Sequence, residues 1–558
     1  MTIAVRIALF ALAVGSAWGQ QPPGLLDTLQ QELGRNFSAL KDKGDPPPYY
    51  LGYSAVEMET DFVSATFGSL TTQNRNHLRY LDVTVRVGSP DLDNYHRTAA
   101  DRQISTGGAS LPVQDGPAAI RRAAWLETDR AYKQAAQRLI QIKTNQQVNV
   151  EREDASADFS KEEASQYSEN TPKIKFNAAE WAPRIRKLSA RFSNYPGILN
   201  SGVAVQVQRE TKYIVNSEGT RVQIGRVFAQ ISIRARAKAS DGMDLSVYDS
   251  FEAEDPAKLP KDEVILASID KAGSDLTGLL RAPLVDPFVG PAILSGRASG
   301  VFFHEIFGHR IEGHRQKDEA EGQTFTKSVN APVLPDFLTV VFDPTRKSAA
   351  GTFLNGTYAY DDEGVKARSV VSVDKGVLKT FLMSRSPIKN IPASNGHGRR
   401  QPGYDIVARQ SNLIVESAKA VPEAKLRAML IEELKKQNKP YGLYFSRITG
   451  GYTTTGRRGL QAFTVIPLIV YKVFADGRPD ELVRGVDIVG TPLTSFAKIM
   501  ATSDSPEVFN GVCGAESGNV PVSAVSPAIL ISEIEIQRKD RSQDRPPLLP
   551  RPPVEGQQ

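Results

Sequence analysis

The sequence predicts an α+β protein: an N-terminal mixed α/β region followed by a largely antiparallel, β-rich C-terminal domain. Three observations carry that expectation. Before residue 284, apolar residues recur at helical spacing in several separate stretches. Between those stretches lie runs rich in Val, Thr, Tyr and Phe that alternate with polar residues, as half-buried strands do. From about Val285 the chain turns strand-heavy and glycine-rich. At 558 residues it exceeds one compact domain, and roughly two to four are expected.

The elements follow in order. Residues 1–19 read as a secretory leader. Arg6 supplies a short positive start, and "IALFALAVGSAWG" is shorter than the ~20 apolar residues that span a bilayer. Ala17-Trp18-Gly19 fits a small-x-small cleavage site, leaving Gln20 as the new N-terminus. "LLDTLQQELGRNFSALKDK" has apolar residues three and four apart and reads as an amphipathic helix, which "GDPPPYY" breaks. From Tyr49 to about Val87 the pattern is that of antiparallel strands. "AIRRAAWLETDRAYKQAAQRLIQIK" is the longest helix, and the polar "EREDASADFSKEEASQYSEN" behind it reads as a surface loop. A helix covers about Ala178 to Phe192. Strands return in "SGVAVQVQRE", "TKYIVNSEGTRVQIG" and "RVFAQISIRARA", with "NSEG" as a turn, before a helix from roughly Pro260 to Leu280. The final "RSQDRPPLLPRPPVEGQQ" carries five prolines and reads as a disordered tail. The expected divisions are a leader over 1–19, an N-terminal α+β domain over 20–150, a middle α+β domain over 151–284, the β-rich domain over 285–540 and the tail over 541–558.

Composition narrows the function. Hydrophobic residues make up 40%, enough for a sizeable core. The net charge of +5 is small for this length, and Lys and Arg are interspersed with Asp and Glu, so no nucleic-acid partner is expected. Beyond the leader no stretch is long and apolar enough to cross a membrane, so the expected chain is exported, periplasmic or secreted. Its single cysteine, Cys513, has no intrachain partner and needs a separate explanation, either a buried small hydrophobe or a metal-bound thiolate.

The candidate chemistry begins at Gly300 with "GVFFHEIFGHRIEGHRQK". Three of the six histidines lie here, His304, His309 and His314, and Glu305 follows the first. Neutral imidazole is a good zinc ligand, and an adjacent carboxylate can act as general base on activated water. The familiar HExxH spacing puts both histidines on one helical face. This chain has HExxxH, and five residues at about 100° each turn the second histidine roughly 140° from the first. On a regular helix the two cannot grip one ion. Gly308 tolerates distortion, so the spacing predicts a widened or broken turn between Phe307 and Arg310. A third ligand is needed. Cys513, in "FNGVCGAESGNVPVS", can be aimed by the glycines around it; Glu312 and His314 are its rivals. Two histidines and a thiolate would leave one position open, as catalytic zinc requires. The β-rich domain is therefore the one expected to carry the metal site.

These residues resemble a known family. "HEIFGHRIEGH" is similar to the zinc-protease motif of the TldD/PmbA metallopeptidases. "GTYAYDDEGVKARSVVSVDKGVLKTFLMSR" resembles that family's DDEG segment, "ASNGHGRR" its glycine-arginine loop, and "GVCGAESGNVPVSAVSPAILI" its C-terminal segment with the ligand cysteine. The motifs run in order from about Ser295 to Glu535. The resemblance implies Zn2+ held by His304, His309 and Cys513, with Glu305 as the catalytic carboxylate. It implies an active, TldD-like member that cuts unstructured peptides held extended. It further implies a dimer, either a homodimer or a heterodimer with a paralogous subunit. The chain departs from the family at His314, where an acidic residue is usual, at Arg310, where a small one is common, and in its leader.

The expected reaction is metal-assisted peptide hydrolysis with Glu305 as general base. His397, Arg399 and Tyr404 are candidates to bind substrate or the oxyanion. Asp361, Asp362, Glu363, Glu312 and His314 are candidates to orient a zinc-bound histidine from behind. "YGLYFSRITGGYTTTG" is a candidate wall of a groove in which a peptide adds as a strand. The alternative is a non-catalytic peptide-binding or assembly subunit, in which a fourth protein ligand closes a structural zinc.

Overall fold

A computed structural model describes residues 24–97, 107–146, 154–457, 462–490 and 495–539, with residues 546, 547 and 549. The leader expected over 1–19 lies outside them, as does the tail over 541–558 apart from those last three residues. The fold is α+β, with a β-rich C-terminal region.

The N-terminal half is built from two long hairpins. Strand Pro48–Thr66 pairs antiparallel with Ser69–Val87 on one edge and with Asn200–Asn216 on the other. Asn200–Asn216 pairs in turn with Arg221–Lys238. The connecting "NSEG" is a turn, as expected: Asn216 Oδ1 accepts from the backbone of Glu218 and Thr220, both at 3.0 Å, and Gly219 takes φ +100. The segments expected as separate domains over 20–150 and 151–284 therefore share one seven-stranded sheet. Two cores flank this sheet, and each draws residues from both segments. Helices Leu25–Lys43 and Pro117–Gln146 cover Leu51, Val83 and Val215. Helices Ala178–Ala190 and Asp262–Arg281 cover Val63, Val205 and Ile231. Periodicity reveals each hairpin but not which hairpins pair, so a boundary at residue 150 cuts a continuous sheet.

The segment after residue 154 also differs from its reading as a surface loop. Phe159 is buried between the guanidinium groups of Arg86 and Arg385, 3.8 Å from each. Ser160 N donates to Arg385 O at 2.8 Å. One aromatic residue in a polar run carries no periodicity, yet here it pins the N-terminal sheet to the C-terminal domain.

The C-terminal domain centres on a twelve-stranded sheet that closes on itself. Strand Gly518–Arg538 pairs with Val486–Gly490, which continues through Phe463–Phe474, Tyr441–Thr453 and Phe288–Leu294 back to Gly518–Arg538. Helix Gly296–Ile306 leaves the end of Phe288–Leu294 and packs on this closed unit. Ser295 caps it, accepting from Ala298 N at 3.3 Å, and Phe302, Phe303 and Phe307 meet Phe463 and Phe496 in one aromatic cluster. No helix among the described residues is long and apolar enough to cross a membrane.

Candidate metal centre

The helix that carries His304 stops at Ile306, and Gly308–Ile311, which carries His309, tightens into a 3-10 turn. The break predicted between Phe307 and Arg310 is present, made by tightening the turn rather than by a π-bulge. Gly308 is needed there for close approach: an added Cβ would lie 1.9 Å from Gln410 Oε1, and the same Gln410 side chain donates to His304 O at 3.2 Å. Arg310 fastens the broken end. Its guanidinium donates to the backbone oxygens of Glu305 and Ile306 at 3.1 Å each and to Thr453 Oγ1 at 2.9 Å.

Cys513 approaches from the hairpin formed by Ile499–Ala515 and Gly518–Arg538, two residues before the first strand ends. Its Sγ lies 3.2 Å from His304 Nε2 and 3.3 Å from His309 Nε2. The three ligand atoms are all within 4.8 Å of one another. Nitrogen and sulfur on one tetrahedral zinc are about 3.5 Å apart, so the donor spacing and the donor chemistry both fit that ion. Glu312 orients His309 for coordination. The imidazole Nδ1 lies 3.1 Å from Glu312 Oε2, which fixes the tautomer and frees Nε2. Glu312 is fully buried and takes Arg315 Nε at 2.9 Å. Replacing Glu312 with Gln should lower metal affinity by about 10–100-fold, read by competition with a chelator; unchanged affinity would remove Glu312 from the centre.

Among the protein groups alone, the charges sort themselves. Burial by itself would push the Cys513 thiol up, but His309 and His304 drive it well below its usual range. Burial opposes a charge on His309 too, yet Cys513 and Glu312 hold its pKa well above the ordinary imidazole value. Burial raises Glu305 above the usual carboxylate range, and the two imidazoles offset only part of that. Glu312 goes the other way: burial would raise it, but His309 and Arg315 bring it down to about 2. A bound dication would draw Glu305 back down.

Glu305 Oε2 lies 4.0 Å from His309 Nε2, on the open side of the centre. That side is a cleft of about 950 Å³. Thr449–Thr453 wall one side, with Gly451 so close that an added Cβ would lie 2.8 Å from Glu305 Cγ; Phe509–Ala515 wall the other. The roof is the N-terminal sheet, from Gln206 to Tyr248. Beyond Phe445, Tyr441–Thr453 has a strand partner on one edge only among the described residues, as does Ile499–Ala515 beyond Ser503. The expected wall from "YGLYFSRITGGYTTTG" is thus in place.

Other candidates lie elsewhere. His397 is fully buried, with Nε2 3.1 Å from Ser411 Oγ, and burial brings its pKa down to about 3. Arg399 donates to Gln410 O and Pro521 O, both at 2.7 Å, and Tyr404 packs at the Gly518 turn; none of the three lines the cleft. Asp361 accepts from the backbone of Glu363 and Val365 at 2.9 Å, Asp362 takes Lys212 Nζ at 2.6 Å, and Glu363 takes Arg385 N at 2.6 Å. That acidic turn braces the N-terminal sheet and orients no zinc-bound histidine. His314 pairs with Glu516 rather than reaching the centre. Of the five orienting candidates, Glu312 alone touches a ligand. Arg409, which no sequence pattern singles out, donates to Cys513 Sγ at 3.1 Å.

Comparisons with known proteins bear on the chain's family and fold. Residues 289–538 match the PmbA/TldA metallopeptidase C-terminal domain. A metalloprotease of Methanocaldococcus jannaschii is 28% identical over 233 residues, 41% of this chain and 47% of that protein. A zinc metalloprotease TldD homolog of Saccharolobus solfataricus is 23% identical over 249 residues, 44% of this chain and 51% of that one. The chain spans about half the length of these relatives. The crystal structure of TldE from Thermococcus kodakarensis shares the fold, with a TM-score of 0.60 at 15% identity over 90% of this chain and 100% of that one.

Proposed function

Because the chain belongs to the TldD/PmbA metallopeptidase family through its C-terminal domain, we propose that it hydrolyses peptide bonds in extended, unstructured peptides with zinc bound by His304, His309 and Cys513. The observation that carries this reading is the convergence of two imidazoles and one thiolate beside Glu305 at the floor of an open cleft. Zinc in such a centre supplies a Lewis acid that activates water and polarises a carbonyl. Glu305 takes the proton of the attacking water and passes it to the leaving amine. Glu312 holds His309 in register from behind. The unpartnered strand edges in the walls hold the substrate backbone extended.

The alternative, an assembly subunit with a structural zinc, needs a fourth protein ligand. Its two candidates are spent: Glu312 stands behind His309, and His314 is on Glu516. The test is zinc content of the chain beginning at Gln20. One zinc per chain is expected in the wild type and none in Cys513→Ala, with cleavage of an unstructured peptide in the first only. Full zinc in Cys513→Ala would break the ligand assignment. The same reading includes export after removal of residues 1–19, checked by N-terminal sequencing of the exported chain. It also includes a homodimer or paralogous heterodimer, checked by native mass.

A further inference from the structure

We infer that the cleft selects extended peptides that carry carboxylates, through Arg226, Arg234 and Arg236 in its roof. The inference rests on the peptidase reading for its setting, but its argument is the charge of the cleft.

Strand Arg221–Lys238 lines the roof with Arg226, Phe228, Gln230, Arg234 and Arg236, opposite His304, Glu305 and His309. Even-numbered positions of a strand share one face, so the three arginines point the same way. Other cations of this strand are neutralised: Arg221 pairs with Asp27 at 2.6 Å and Lys238 with Asp244 at 2.8 Å. The three over the cleft have no ion pair among the described residues. Arg226 donates to the neutral Asn355 Oδ1 at 2.8 Å, and Arg234 lies over the Tyr248 ring at 5.6 Å. Arg234 and Arg236 are exposed to the cleft.

The acids of the cleft lie mostly away from the roof: of Glu252, Glu305, Glu321 and Glu516, only Glu252 belongs to the N-terminal sheet. Arg315, Glu321 and Glu516 also line the cleft, and Arg315 pairs with both acids, which leaves one negative charge among those three. Glu305 is the proposed base. Glu252 is the one further acid lining the cleft among the described residues; it lies in the roof itself, beside Gln230 on the neighbouring strand, and takes the neutral Gln230 at 3.0 Å and Asn510 at 3.4 Å. The roof therefore holds three cations against one anion in the same cavity as the candidate centre, where field lines are focused by the walls. Arg234 and Arg236 are about 6.6 Å apart along the strand, which is also the repeat between alternate side chains of an extended peptide. Acidic residues two apart match that spacing, and a C-terminal carboxylate matches a single arginine.

The test is binding without turnover. Zinc-loaded full-length Glu305→Gln protein is titrated by fluorescence anisotropy with three labelled ten-residue peptides. The first has Glu at alternate positions and an amidated C-terminus, the second has Gln at the same positions and is amidated, and the third is the Gln peptide with a free C-terminus. The Glu peptide should bind about tenfold tighter than its Gln twin at low salt and lose that advantage at high salt. Adding Arg234→Gln and Arg236→Gln should abolish the preference, whereas Arg234→Lys with Arg236→Lys should keep most of it. A preference for the free C-terminus over the amidated Gln peptide, lost in Arg226→Gln, would assign that arginine to the terminal carboxylate. Equal binding of all three peptides overturns the inference, and so does a preference that survives both the Gln substitutions and high salt. If the preference holds while zinc-loaded wild-type protein cleaves none of the peptides, the peptidase reading fails and the carboxylate selection stands.

Discussion

Glu305→Gln protein, loaded with zinc, will keep its metal and lose about 10²–10⁴-fold in kcat toward an unstructured peptide. Glutamine preserves the size and packing of the side chain against Gly451, so the cleft wall stays in place. It removes only the ability to accept a proton. Glu305 is not among the three converging ligand atoms, and metal content should therefore match the wild type within error. The two readouts separate the possibilities. Lost activity with retained zinc makes Glu305 the base. Lost zinc makes it a fourth ligand and favours the structural centre. Full activity removes it from the reaction.

The second large effect is expected at Arg409, which is fully buried. One guanidinium serves both flanks of the centre. It donates to Cys513 O at 2.8 Å and Cys513 Sγ at 3.1 Å, and it ties the hairpin turn through Ser517 Oγ at 2.7 Å and Gly518 O at 3.0 Å. Its Nε lies 3.3 Å from Glu312 Oε1, a charge contact without hydrogen-bond alignment, since neither atom has a hydrogen-bond partner. Methionine at this position fills similar space and leaves a buried thiolate and a buried carboxylate short of their shared cation. Breaking one partner of a buried pair costs about 3–5 kcal/mol. Arg409→Met should lower the unfolding free energy of the zinc-free protein by that amount, measured by denaturant titration, and should weaken zinc binding in parallel. Arg409→Lys restores charge without the planar fork and should recover only part of the loss. An Arg409→Met protein with wild-type stability would show that the cation is dispensable.

What could be read from the sequence follows from how local each signal is. The helix break is legible because HExxxH and Gly308 lie within six residues of each other, and a regular helix cannot satisfy the spacing. Cys513 is legible for another reason: a chain with a single thiol behind an apparent leader needs a use for it. Glu312 is legible as one of several acids near the motif, but only the fold separates it from Asp361 and Glu363, which accept from backbone amides of their own turn, Gly398 and Arg385. His397 and Arg399 sit in a loop with the composition of a binding loop, yet both are buried under it. Arg409 is invisible because an arginine followed by "QSN" has no periodicity or spacing that marks it as buried. The pairing of Pro48–Thr66 with Asn200–Asn216 is equally hidden, since sheet order depends on contacts more than a hundred residues apart.

The separation of the ligands along the chain has a consequence for biosynthesis. Cys513 is 209 residues beyond His304 and 204 beyond His309. On a ribosome the two imidazoles emerge long before the thiol, so a nascent chain holds an incomplete chelate until the last hairpin is made. Once all three donors close on one ion, the ion staples the start of the C-terminal domain to its end. In chain-entropy terms a closure of that length withdraws about 5 kcal/mol of freedom from the unfolded ensemble. On the proposed ligand set, loading waits for the last hairpin, and a chain truncated anywhere before residue 513 is left without the staple.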